Sequence, residues 1–204
     1  QQWLPGLVQE VRERQSRETS VSPQGPFPKQ AQRALSLEVM QLLGFDFEAG
    51  RLDESAHPFS GGVPEDTRLT TRYREDNFVQ SLMGTIHETG HARYEQNLPR
   101  AWLGQPVAHA RSMAIHESQS LSFEMQLGMS PGFVGRLAPL LCAHFGAQPA
   151  FEPHALHRLL TRFIGADSAD SAFREFARNR NLVWPGGTDG ADGSGTALQA
   201  DANL

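Results

Sequence analysis

The pentapeptide His87-Glu88-Thr89-Gly90-His91 puts two histidines and a carboxylate at a spacing that can do chemistry. On a helix, residues at i and i+4 project from one face with their Cβ atoms about 6 Å apart, close enough for two imidazoles to share one ion. Glu88, next to the first imidazole, then reaches a water beside that ion as general base. The chemistry is metal-assisted hydrolysis, and zinc is the ion this spacing serves. The plain alternative is an ordinary helix with two surface histidines and a carboxylate.

Helical context supports the first reading. Between Asn77 and Asn97 the apolar residues Phe78, Leu82, Ile86 and Tyr94 recur at roughly helical intervals, with Asp76 or Asn77 available as N-cap. Gly90 costs about 1 kcal/mol of helix propensity relative to Ala, so its presence predicts an element packed against the backbone there. A catalytic zinc site takes a third protein donor from a separate element. Glu117 fills that role best, within a helix expected over Ala110 to Leu127, and Pro99, Gly104 and Pro106 supply the reversal that sets the two helices antiparallel. His116 and Ser118 are candidate donors that orient the carboxylates, and His116 is equally readable as a satisfied core histidine.

The ordered series His57-Pro58-Phe59, Asp66-Thr67-Arg68-Leu69-Thr70-Thr71, His87 to His91, Gly104-Gln105-Pro106 and His116-Glu117-Ser118-Gln119-Ser120 closely resembles the carboxypeptidase Taq family of metallocarboxypeptidases, from about Leu4 to Arg162. The resemblance implies a mainly α fold, a helical zinc-peptidase core, and release of C-terminal amino acids from peptide substrates with broad side-chain tolerance. It implies Zn2+, Co2+ or another divalent metal on His87, His91 and Glu117, with Glu88 as general base. It also implies a cytoplasmic homodimer.

Arg68 to Tyr73, rich in Thr and aromatic character and preceded by Gly61, Gly62 and Pro64, reads as a strand after a turn, a short β-hairpin or edge strand ahead of the zinc helix. An edge there can hydrogen-bond an extended peptide through its main chain. Arg68 pairs with Asp66 or with a substrate carboxylate, and His57, held extended by Pro58, can line the cleft.

Three features depart from the family pattern. Phe163 to Asp170 is the nearest counterpart of an Ile-Arg-x-x-Ala-Asp motif, with Gly165 where the Arg is expected, and a later Gln-Asp-x-His-Trp motif has no counterpart. The first helix, near Trp3 to Gln15, begins without a preceding cap, so a piece of a longer protein is expected here, without the family's N-terminal helices that cover the groove. The expected organisation is a partial catalytic domain over 1–184 and a Gly-rich, disordered tail over 185–204, either a truncated or frame-shifted end or a natural linker.

Composition narrows the remaining classes. Eighteen Lys and Arg against 23 Asp and Glu give a net charge of −5 with both signs interspersed, which argues against a nucleic-acid partner. No apolar stretch approaches the roughly 20 residues of a membrane span. Cys142 is the only cysteine and, in the apolar run Leu137 to Phe145, reads as a small buried residue. His154 and His157 read as a solvated helix face. Ala31, Leu35, Val39, Leu42 and Leu43 predict an amphipathic helix ending at Gly44. Three readings follow: a metallocarboxypeptidase, an endopeptidase or aminopeptidase of the same Glu-liganded class, and a catalytically incomplete metal-binding remnant.

Overall fold

The computed structural model describes residues 3–19, 21–56 and 58–162. His57, the Gly165 segment and the tail expected over 185–204 lie outside the described residues. The chain divides into two units, one of Gln1–Arg17 with Phe163–Leu204, the other Glu18–Arg162. The first holds α1 (Leu4–Ser16), whose cap position Trp3 makes no side-chain capping bond and which has no buried residue.

The second unit is mainly helical. Its elements are α2 (Lys29–Leu42), β1 (Gly50–Glu54), β2 (Phe59–Val63), β3 (Asp66–Thr71), α3 (Phe78–Gln96), α4 (Met113–Leu121), α5 (Pro131–Phe145) and α6 (Pro153–Thr161). The expected amphipathic helix is α2, which ends before Gly44 at φ +80°, although Leu42 is exposed and Gln32, Ser36 and Met40 share the buried face instead. Cys142 packs against the core half-buried in α5.

The expected hairpin is present as β2 and β3, joined through Pro64 and Glu65. Its details differ from the sequence reading in two ways. Gly61 and Gly62 belong to β2 itself, paired with Arg68 and Thr67. β3 is the middle strand, not an edge, because β1 pairs along its other side in parallel register, Leu52 opposite Leu69. With a single buried residue, Leu52, β1 carries too little apolar alternation to announce itself.

α3 is the element around which the unit packs. Phe78, Leu82 and Ile86 enter a core with Leu35 and Val39 of α2, Leu137 and Leu141 of α5 and Leu156 of α6, while Ala92 joins Met40, Phe45, Leu52 and Leu69 in a second cluster against the sheet. Asn77 is its N-cap, accepting from the Gln80 backbone N–H. Buried hydroxyls line the rest: Thr85 donates to the Ser81 carbonyl at 2.8 Å, Thr89 to the Thr85 carbonyl at 2.6 Å, and Ser81 to Gln32 Oε1 at 2.7 Å. A helix covered on several sides cannot show one clean apolar stripe, and these polar groups are satisfied in place.

The chain reverses through short turns over Arg100–Trp102 and Pro106–Ala108 and enters α4, capped by Ser112. The helix expected over Ala110 to Leu127 starts at Met113 and ends as a π-helical segment, Ser122–Gly128. A widened turn leaves no mark on apolar periodicity over so few residues. α3 and this stretch run antiparallel, His116 opposite Glu95 and Gly128 against Ile86.

Gly90 sits at their closest approach. A Cβ there would lie 2.7 Å from Ser120 Cα and 3.0 Å from both Gln119 O and Phe123 Cβ. At Gly84, on the same helix, a Cβ meets nothing within 4 Å. Helix propensity alone favours Ala at both positions by about 0.5–1 kcal/mol. We expect Gly84→Ala to raise stability by that amount and Gly90→Ala to lower it by about 1–3 kcal/mol, because backbone must move to admit the methyl. Denaturant unfolding of the two variants checks this, and equal shifts of the same sign would show that the helices do not touch at Gly90.

Candidate metal centre

The i, i+4 spacing on α3 places the imidazoles of His87 and His91 with ring centroids 5.0 Å apart, and α4 brings Glu117 opposite them. One donor atom from each of His87, His91 and Glu117 lies within 4.8 Å of the others. Glu117 Oε2 is 3.3 Å from His91 Nε2 and 3.8 Å from His87 Nε2. Bonds of about 2.0–2.1 Å to a tetrahedral zinc put neighbouring donors about 3.3 Å apart, so this spacing suits such an ion with little adjustment.

The hydrogen bonds behind the ligands decide which nitrogens face inward. His87 Nδ1 is 2.9 Å from Glu124 Oε2; a carboxylate only accepts, so His87 carries its proton on Nδ1 and presents the Nε2 lone pair to the centre. His116 Nε2 donates to Glu95 Oε1 at 2.8 Å. With that one ring proton on Nε2, its Nδ1 accepts from His91 Nδ1 at 2.6 Å and leaves the His91 Nε2 lone pair facing Glu117. A lone pair and a carboxylate oxygen at 3.3 Å repel unless a cation stands between them. Glu117 Oε1, moreover, is buried with no hydrogen-bond partner among the described residues. The donor set therefore fits a divalent ion, and its two imidazoles and one carboxylate are of the kind zinc takes.

Burial tunes the same groups. It pushes the His91 pKa down to about 4, helped by the neighbouring His87 and His116, so the ring stays neutral as a ligand must. Glu88, 8 % exposed, has its carboxyl raised above the ordinary range by burial, against the opposing pull of His87 and of the nearby Ser60 hydroxyl on β2.

The remaining expected site residues fall elsewhere. Ser118 is exposed, and its hydroxyl donates to the Ile115 carbonyl at 2.8 Å, a bond within its own helix. Arg68, exposed on β3, holds Asp66 through Nε at 3.1 Å and Nη2 at 2.7 Å, and that hydrogen bonding lowers the Asp66 carboxyl. His144 lies 2.8 Å from Glu38 on another part of the unit.

Glu95, Glu124 and Ser60 escaped the sequence reading. Glu95 extends the stripe His87, His91 by four residues, and Glu124 follows Glu117 by seven, so both stood on the right helical faces. Nothing in the sequence singles out Ser60, because it stands beside Gly61 and Gly62, which read as the turn before the strand and not as part of β2.

A His-Glu-x-x-His helix with a facing glutamate from a second antiparallel helix defines a metallopeptidase centre. Residues 1–163 match the model of the carboxypeptidase Taq (M32) metallopeptidases, and the chain belongs to that family. Thermostable carboxypeptidase 1 of Thermus thermophilus is 50% identical over 115 residues, 56% of this chain and 22% of the relative. Carboxypeptidase 1 of Bacillus subtilis is 50% identical over 108 residues, again 22% of its length. The solved metallocarboxypeptidase 1 of Trypanosoma cruzi superposes with a TM-score of 0.78 at 46% identity, covering 89% of this chain and 38% of that one. The chain thus spans well under half the length of these relatives. Among the described residues no helix is long and apolar enough to cross a membrane.

The His91 shift sets a pH dependence. An unfolded chain protonates this ring near 6.5, whereas the folded one resists until about 4, so between those values the unfolded state binds more protons and stability falls as pH drops. We expect the metal-free protein to lose stability from pH 6.5 towards 4 more steeply than its His91→Gln variant. Denaturant midpoints of both proteins across that window check this; parallel curves would remove His91 from the account.

Proposed function

We propose that this chain carries the hydrolytic centre of a metallocarboxypeptidase, removing C-terminal residues from peptides. The observation that carries the reading is the convergence of His87 Nε2, His91 Nε2 and Glu117 Oε2 beside a buried Glu88 whose carboxyl is raised by desolvation. His87, His91 and Glu117 would hold a zinc ion, which would supply Lewis acidity to the scissile carbonyl and to the attacking water. Glu88 takes the proton from that water as it attacks. Its raised affinity for a proton suits it to hold the proton and then deliver it to the leaving amine. The Ser60 hydroxyl, on β2, stands near Glu88 and favours its charged form, offsetting part of the effect of burial.

Main-chain pairing to the substrate, expected at Arg68 to Tyr73, moves to β2, because β3 is paired on both sides while β2 is an edge. Arg68 acts structurally in this reading, being committed to Asp66. His116 orients His91 and is itself held by Glu95. The cytoplasmic, homodimeric setting implied by the family resemblance belongs to the same proposal.

A second reading, metal binding without turnover, is favoured by Gly165 at the position where the family pattern has Arg. One experiment separates the two: C-terminal release from a blocked dipeptide by the zinc-loaded chain, with zinc content measured in parallel. We expect release, and a fall of about 10²–10⁴-fold in Glu88→Gln at unchanged zinc. Zinc bound equally by both proteins with cleavage by neither establishes the second reading.

A further inference from the structure

Glu124 is a buried carboxylate beside the metal donors to which the hydrolytic reading gives no task. It is 1 % exposed, a position where an apolar side chain would be the low-cost choice and where a carboxylate must be hydrogen-bonded to be tolerated. Its Oε2 lies 2.9 Å from His87 Nδ1. The residue is carried on the π-helical Ser122–Gly128 segment, seven positions beyond Glu117. The two glutamates therefore meet His87 from opposite sides of its ring: Glu117 at Nε2 and Glu124 at Nδ1. π-helical segments occur disproportionately at functional sites, where the widened turn re-aims side chains.

We propose that Glu124 is a positioning residue of the metal centre. Its carboxylate holds His87 in the Nδ1–H tautomer, fixes the ring so that Nε2 points at Glu117 and His91, and raises the basicity of that nitrogen by its charge. The support is unequal across the site. His91 is backed by an imidazole, His116, whereas His87 is backed directly by a carboxylate. The proposal rests on the reading that His87, His91 and Glu117 hold a divalent ion.

The test is Zn2+ affinity of the whole 204-residue chain, measured by competition with a chromophoric chelator, for the wild type, Glu124→Gln, Glu124→Ala and Glu117→Ala. Thermal unfolding of each metal-free protein runs alongside. Gln keeps an acceptor and the volume but loses the charge, and we expect about tenfold weaker zinc binding. Ala loses charge and acceptor, with an expected loss of up to about 100-fold. A purely structural role would lower the unfolding temperature of the metal-free variants while leaving zinc affinity within twofold of wild type, and that result overturns the proposal. The near-isosteric Gln variant carries the test should Ala fail to fold. If the wild type binds zinc no better than Glu117→Ala, the metal reading falls and this proposal falls with it; if only the Glu124 variants match wild type, this proposal falls alone.

Discussion

The close approach of two antiparallel helices at Gly90 is the constraint on which the rest of the centre depends. Without a side chain at that position, the α4 backbone comes near enough for Glu117 to stand 3.3 Å from His91 Nε2. The same approach sets Glu124 behind His87 and His116 behind His91. A pair of helices held apart by even one methyl would carry the same side chains on the same faces and fail to bring their donor atoms together. Helix propensity is given up at one residue, and a three-donor site is gained.

Proton placement is the second level of organisation. Each imidazole could offer either nitrogen, and a metal needs a particular one. Glu124 and Glu95 resolve this because a carboxylate only accepts: the proton on His87 is drawn to Nδ1, and the chain from Glu95 through His116 draws the proton on His91 to Nδ1 as well. The His91 ring is kept neutral by burial, and the Glu88 carboxyl is raised by burial, so one low-dielectric environment shifts the two groups in opposite senses, each towards its uncharged form.

The sheet and the helical core hold α3 rather than take part directly. One cluster, drawn from α2, α5 and α6, clasps its N-terminal half, and the sheet covers the half that carries Ala92. The sheet also brings β2 beside the zinc helix, with Ser60 near Glu88. Rigid elements on both sides suit a site whose donors must stay within a fraction of an ångström of their working positions.

Local spacing alone placed the two imidazoles on one face, set Glu88 beside the first of them and required a close neighbour at Gly90, because each of these depends on the 3.6-residue period or on the size of one side chain. The third ligand was legible for a related reason: Glu117 lies on a second helix whose reversal is written in Pro99, Gly104 and Pro106. The strand order was not legible, since β1 and β2 bury too few side chains to alternate and their pairing with β3 is made through backbone groups that every residue possesses. Nor were the partners of the ligand nitrogens. Glu95 and Glu124 differ from ordinary surface glutamates only in what stands opposite them, and the distance between two helices is set by the packing of the whole unit, not by the residues of either one.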